Sequence, residues 1–446
     1  MSIPRYCLNE ISSATGLEPT PQAIDFPHLQ FGSGSLTRIS ILLTSLARRK
    51  SIEVPAETHH SLAMTPTSSA PTDSGAISSY DYILPSELIA AAPLAVRDAS
   101  RLLVVNRAEQ SITHATFRDL PNYLNAGDLL ILNETRVVPA KLRGTRAATG
   151  GKWEGLFLGI EGATHWRIIG QTRGKLQPGE QLSLHPADNP DDPARLRLIL
   201  RERRGEGEWL VEPVPIVALF SEQGSSFAEQ KATDADPWTV VQQLLDQFGT
   251  VPLPPYIERT AASPEDRERY QTTFAKNPGA IAAPTAGLHF TPEIFDACRA
   301  RGVEVAPLTL HVGIGTFRPV SVDRLDDHVM HYEYGELPAS TVDAIQRTRQ
   351  RGGRVIAVGT TAVRTLESVS HTGPLRAWSG DTNLFIRPPY EFQVVNALVT
   401  NFHLPKSTLL VLVSALAGRD LILEAYQQAI AERYRFFSYG DAMLIV

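Results

Sequence analysis

Cysteine is almost absent from this chain. Only Cys7 and Cys298 occur in 446 residues, which excludes a disulfide-stapled scaffold and any CxxC zinc pair and fits a reducing, cytoplasmic setting. Long apolar runs are missing as well. The longest, Leu409–Ala417, is far too short to span a bilayer, and Arg5, Asn9 and Glu10 interrupt any signal-peptide core. Nor is there an excess of positive charge. A net charge of −6 argues against a general polyanion-binding surface, so RNA contacts have to come from local basic patches.

What is present is ordinary for a globular protein: 43% hydrophobic and 20% charged residues. The length exceeds one core, so two domains and an appendage are expected. Residues 1–78 are rich in Ser, Thr, Pro and Ala, most densely at Thr65–Ser79, and read as a disordered low-complexity extension. Within it Ile39–Leu46 and the following Arg48, Arg49 and Lys50 form either a short basic amphipathic helix or, more plainly, part of a solvated leader. Met64 offers an alternative start.

The remainder is organised around residues 281–319. Two apolar runs, Ile281–Ala283 and Leu308–Val312, are expected as buried strands, each emptying into a glycine turn that presents a histidine: Gly287 beside His289, and His311 before Gly313 and Gly315. Between them Thr291, Pro292, Glu293 and Gly302 mark the start and stop of a helix. This alternation gathers polar side chains at the carboxyl ends of strands, as α/β folds do. Arg101–Asn106 and Ser111–Ala115 suggest a hairpin. Asp128–Leu132, Arg354–Val358 and Val394–Val399 are further buried strands. They run into Asn133-Glu134-Thr135-Arg136, Gly359-Thr360-Thr361 and Thr400-Asn401-Phe402-His403, which are site candidates or turn formers. Ser407 and Gly418 bracket one late helix, and Leu421–Tyr434 forms another.

Between about Gly144 and Gly249 the texture changes to short strands with Gly and Pro turns: Trp153–Ile160, His165–Gly170, Gln181–His185, Arg195–Arg201 and Glu208–Val214. The expected architecture is a discontinuous α/β domain (79–143 and 250–446) interrupted by a small all-β barrel (144–249). Arg195, Arg197, Arg201, Arg203 and Arg204 either meet phosphates or make a solvated basic edge. Gly313-Ile314-Gly315 follows a strand but opens no helix, so a dinucleotide turn is not expected. His328, His331 and Glu333 have spacing that could hold a metal, without an HExxH pattern. The hydroxyls of Thr360 and Thr361 suit an anion or mere helix capping.

The stretches YDYILPSELIA, SRLLVV, LNETRVVPAKLRG, PLPPYI, ERYQTTFA, APTAGLHFT, LTLHVGIGTFRPV, VGTTAVRTLES, TNFHLPKSTLLVLVSALAG and YRFFSYGDAMLI run from Tyr80 to Ile445. Together they resemble the S-adenosylmethionine:tRNA ribosyltransferase-isomerases of queuosine synthesis. The resemblance implies an α/β domain with an inserted β-barrel. It implies transfer and isomerisation of the ribosyl part of S-adenosylmethionine onto 7-aminomethyl-7-deazaguanine at the tRNA wobble position, giving epoxyqueuosine-tRNA, adenine and methionine. The acceptors would be the tRNAs for Asp, Asn, His and Tyr. No cofactor or metal is expected beyond the co-substrate, because the sulfonium itself acidifies the adjacent ribose carbon. A cytoplasmic monomer is expected.

On that resemblance His289 is the first choice for acid–base work and His311 the second, with Asn401 and His403 against the nucleoside. Thr360, Thr361 and Arg364 would take the methionine carboxylate or a tRNA phosphate, and Asp381 and Thr382 the ribose hydroxyls. Thr285, Gly287, Gly313, Gly315, His331, Glu333 and Lys406 complete the expected substrate-binding set. Two positions depart from the family. It usually reads MHSE where Met330-His331-Tyr332-Glu333 stands, and Pro-Gly where Pro388-Pro389 stands. A tRNA-binding protein without activity and a metal-dependent hydrolase using His328, His331 and Glu333 are the rival readings.

Overall fold

The computed structural model describes residues 74–162, 164–189, 192, 194–215, 236–257, 264–317 and 320–446. The expectations for residues 1–73, including the basic helix and Met64, lie outside the described residues. The chain is already tied in at Ala76, which bridges to Arg324, and the 3-10 turn Ile77–Tyr80 buries Ile77 and Tyr80.

The expected hairpin is present as β1 (Arg101–Asn106) and β2 (Ser111–Thr116). Two further strands, β3 (Leu129–Asn133) and β4 (Thr135–Val137), lead into the barrel. Its strands are β5 (Lys141–Arg146), β6 (Lys152–Glu161), β7 (His165–Thr172), β8 (Gln181–Leu184), β9 (Leu196–Arg203) and β10 (Glu208–Pro215). Pairing of β5 with both β6 and β8 closes the antiparallel barrel. Helix α1 (Pro237–Phe248) turns Val241, Leu245 and Phe248 into the barrel core of Trp153, Trp166, Trp209 and leucines. Gly155 and Gly170 make room for the Trp153 indole: a Cβ on either would stand 2.4–2.6 Å from its ring atoms.

The chain then gives β11 (Gly249–Thr250), α2 (Pro264–Arg269), β12 (Asn277–Ala280), α3 (Pro292–Ala300), β13 (Glu304–Leu310), β14 (Glu333–Leu337), α4 (Ala339–Gln350), β15 (Val355–Val358) and α5 (Thr360–His371). It ends with β16 (Trp378–Thr382), β17 (Ala397–Asn401), α6 (Thr408–Ala417), α7 (Arg419–Ala431) and β18 (Ala442–Ile445). Nine strands form one sheet in the order β16-β14-β13-β3-β15-β17-β18-β1-β2. Its centre, β13-β3-β15-β17, is parallel.

The central strands read as unbroken apolar runs because both of their faces are covered. Leu129, Ile131, Val355, Ala357 and Leu398 join one core with α4, α5, α6 and α7, while Leu130, Leu132, Ile356, Val358 and Val399 join another with α3 and Phe117. Strand alternation sends neighbours to opposite faces. The helix caps are as expected: Thr291 Oγ1 accepts from the Ile294 N–H at 3.4 Å and Ser407 Oγ from Leu410 at 3.2 Å.

Two expectations need correcting. Ile281–Ala283 is not a strand; the strand is β12, which pairs with β4, and the three residues that follow it are buried irregular chain held by Ile281 N–H to Val312 O at 2.9 Å. Pro284 ends the donor pattern immediately afterwards, which leaves too short a run for a ladder. The arginine-bearing β9 is not an edge, since β8 and β10 flank it.

Candidate active site

Parallel strands direct their carboxyl ends to one side of the sheet. There lies a cleft of about 520 Å³. Its floor and walls come from the loops after β12, β13, β15 and β17, from residues 321–331, and from the Phe437–Ser438 corner. Ten of the expected residues line it: Thr285, Gly315, His331, Glu333, Thr360, Thr361, Arg364, Asn401, His403 and Lys406.

At the β15–α5 junction Gly359 has φ +89°, a conformation that glycine adopts freely. This turn aims the start of α5 at the cleft, where Thr360 and Thr361 begin the helix. Neither threonine caps it: no side-chain cap is formed, and Thr361 Oγ1 accepts from Asn133 Nδ2 at 3.1 Å. The first-turn N–H groups and dipole of a 12-residue helix favour an anion at this end. Arg364, one turn on, is 6% exposed and forms a buried ion pair with Glu333. Its other bonds go to Leu384 O at 3.3 Å and Thr382 O at 3.4 Å. Glu333 Oε1 also accepts from the Gly313 N–H at 2.9 Å. Each charge therefore holds the other in place.

Asn401 ends β17, and its amide is fixed on three sides. Nδ2 lies 3.2 Å from His289 Nε2 and donates to Phe437 O at 3.3 Å, while Oδ1 accepts from Thr285 Oγ1 at 2.9 Å. His289 does not line the cleft. It is buried behind Asn401, with Nδ1 2.8 Å from Ser100 Oγ and its ring beside Phe117. Burial, with Arg97 and Arg435 nearby, lowers its pKa to about 4. His403 does face the cleft. Its Nε2 is 2.8 Å from Thr400 Oγ1, its backbone N–H donates to the Tyr426 hydroxyl at 2.8 Å, and burial lowers its pKa to about 3. Both imidazoles are neutral at pH 7.

The remaining expected residues, Gly287, His311, Gly313, Asp381 and Thr382, do not line the cleft. His311 packs 2.7 Å from Thr135 Oγ1 against Tyr334, and burial lowers its pKa. Gly287 meets Phe274 and Thr272, leaving no room for a side chain. Gly313 serves Glu333 from outside the cleft lining, whereas Gly315 lies under the His331 ring. Asp381 is exposed on β16, and Thr382 is buried against Ser368, so the structure does not bring the expected ribose pair to the cleft. Lys406 pairs with Asp81 at 2.8 Å. Among the described residues no three His, Cys, Asp or Glu side chains form a metal-ligating group. His328, His331 and Glu333 all line the cleft but form no such group: Glu333 is engaged by Arg364, and His328 lies against Phe385.

Sequence reasoning missed Tyr256, Tyr270, Phe437, Ser438 and Asp327, all of which line the cleft. The first four sit in PLPPYI, ERYQTTFA and YRFFSYG, none of which follows an expected buried strand as most of the expected site residues do.

A family model described as "Queuosine biosynthesis protein" matches residues 77–445. The chain is 47% identical to a S-adenosylmethionine:tRNA ribosyltransferase-isomerase from Symbiobacterium thermophilum, over 83% of this chain and 99% of that protein. It is 48% identical to one from Natranaerobius thermophilus, over 82% of this chain and 98% of that protein. A crystallised S-adenosylmethionine tRNA ribosyltransferase from Thermotoga maritima is 35% identical, over 83% of this chain and all of that one, with a TM-score of 0.45.

Proposed function

We infer the chemistry of the cleft from one premise: this chain belongs to the queuosine biosynthesis protein family. It is an enzyme that transfers and isomerises the ribosyl group of S-adenosylmethionine onto 7-aminomethyl-7-deazaguanine at the wobble position of tRNA, releasing adenine and methionine. The observation that carries the reading over to this molecule is the cleft at the carboxyl ends of β13, β15 and β17, large enough for a nucleoside-sized ligand and lined by the stretches quoted above.

In our reading the start of α5, with Thr360 and Thr361, takes the methionine carboxylate or a tRNA phosphate. Arg364 acts by fixing Glu333, because its bonds already go to the protein. His403 takes the acid–base role, since it faces the cleft; His289 positions Asn401 from behind. A buried imidazole with a pKa of about 3 is a weak base. The acidity of the reacting carbon therefore has to come from the sulfonium, and the protein adds proximity and exclusion of water. Under this reading no metal is needed, the enzyme works in the cytoplasm as a monomer, and its acceptors are the tRNAs for Asp, Asn, His and Tyr.

The test is incubation with S-adenosylmethionine and tRNA carrying the aminomethyl-deazaguanine, in the presence of a chelator. Free adenine and the mass of the epoxide nucleoside are expected. No adenine, or adenine only after zinc or iron is restored, sinks the reading. His403→Ala is expected to lower kcat at least 100-fold, and turnover at the parental rate would remove that assignment.

A further inference from the structure

Phe437 has φ +71°, in the left-handed region that a bulky side chain rarely occupies. Such a conformation persists only where its surroundings over-determine it. Here the surroundings do so. The Phe437 carbonyl accepts from Asn401 Nδ2 at 3.3 Å and from the Gly440 N–H at 3.0 Å. Its ring lies 4.8 Å from that of Tyr256, inclined by 52°, and the Tyr256 hydroxyl is pinned to Ser438 Oγ at 2.5 Å. Tyr256, Phe437 and Ser438 all line the cleft.

The polar groups beside these rings have one sense. Both N–H bonds of Asn401 point to His289 and Phe437, and the Thr285 hydroxyl is donated to Asn401. What Asn401 Oδ1 and Thr285 Oγ1 can still offer a ligand is lone pairs. A rigid aromatic wall flanked by acceptors is complementary to a planar heterocycle that carries an amino group.

We propose that Tyr256, braced by the buried Phe437, forms the stacking wall for an amino-bearing purine-type base, with Asn401 and Thr285 accepting from its exocyclic nitrogen. This rests on the transferase reading, in which two substrates carry such a base: the adenine of the co-substrate and the deazaguanine of the tRNA. Stacking on an aromatic ring contributes about 1–3 kcal/mol per base, so loss of the Tyr256 ring costs roughly tenfold in affinity.

The experiment measures inhibition of the full-length enzyme by free adenine, free 7-aminomethyl-7-deazaguanine and methionine, in the parent and in Tyr256→Leu, Tyr256→Phe and Tyr256→Trp. Tyr256→Leu is expected to weaken one of the two bases about tenfold and leave methionine within twofold; which base responds names the substrate at the wall. Tyr256→Phe keeps the ring and is expected to bind that base within about twofold. Tyr256→Trp is expected to retain or tighten it and serves where the leucine variant fails to fold. The proposal is overturned if both bases inhibit Tyr256→Leu as they do the parent, if methionine weakens equally, or if Tyr256→Phe loses as much as Tyr256→Leu. A parent that releases no adenine would instead sink the transferase reading.

Discussion

The barrel and the central sheet bury different kinds of side chain. Among the described residues, the barrel core is built of apolar and aromatic side chains (Trp153, Phe157, Trp166, Trp209 and Phe248, with Ile168, Val211 and leucines), and the Trp153 indole N–H is buried there with no hydrogen-bond partner. The carboxyl ends of the sheet strands bury Asn133, Thr309, Thr360, Arg364, Thr400, Asn401, His403 and Glu333. Burying a polar group costs free energy unless every bond it made to water is replaced. The sheet meets that requirement with local networks: Asn133 alone bonds Leu310 N and O, Thr135 N and Thr361 Oγ1. A protein that gathers hydrogen-bonded polar side chains at one edge, and keeps polar groups out of the barrel core but for the Trp153 indole N–H, has concentrated its chemistry at that edge.

The contrast predicts that barrel substitutions act on stability and cleft substitutions on both stability and turnover. The largest expected effect is that of Trp153→Ala, which empties the space framed by Gly155 and Gly170 and is expected to cost about 3–5 kcal/mol in urea unfolding. The KM for S-adenosylmethionine of the folded fraction should stay within twofold. A tenfold change in KM would mean that the barrel core shapes the cleft. Next comes Glu333→Gln, which leaves Arg364 buried without its counter-charge. A loss of about 3 kcal/mol is expected, together with a fall in kcat/KM, and Glu333→Gln combined with Arg364→Met should recover part of the stability. If the single and double variants unfold alike, the pair is not a stabilising unit.

The buried histidines make the comparison pH-dependent. Their folded pKa values of about 4 and about 3 lie below the unfolded value. Between those limits the unfolded chain binds more protons, so stability is full above about pH 6.5 and is lost as the pH falls. From pH 7.5 to pH 4.5 each contributes a loss of about 2–3 kcal/mol. Urea melts of His403→Gln should show a slope against pH reduced by about half of this histidine contribution. An unchanged slope would place His403 in a solvated environment.

Much of this organisation is legible in the sequence because it depends on local patterns. The runs in β1, β3, β15 and β17, the caps at Thr291 and Ser407, and the short barrel strands all follow from apolar periodicity and turn chemistry. The burial of His289 was not legible. A histidine after a glycine turn looks the same whether it faces a cleft or, as here, stands behind Asn401 against Ser100 and Phe117. Asp381 and Thr382 were illegible for a similar reason: Arg364, which lines the cleft, reaches the Thr382 carbonyl, while neither Asp381 nor Thr382 lines the cleft. Phe437 and Tyr256, 181 positions apart by their numbers, meet only through the tertiary fold.

The smallest effect expected concerns the arginines of β9. On sequence they were candidates for phosphate contacts, yet Arg201 bonds Glu212 across to β10, and Arg204 bonds Glu161 and Glu202. Exposed pairs of this kind contribute at most about 1 kcal/mol, and a guanidinium already matched by a carboxylate has to give up that partner before it can neutralise a phosphate. Arg201→Gln should therefore change stability by less than about 1 kcal/mol and the KM for tRNA by less than about twofold, with the salt dependence of tRNA binding unaltered. A contact to the phosphate backbone would instead lower the slope of log K against log salt by about one per arginine removed. If Arg201→Gln does that, the barrel is part of the tRNA surface, and its division of labour with the cleft is less complete than its apolar interior suggests.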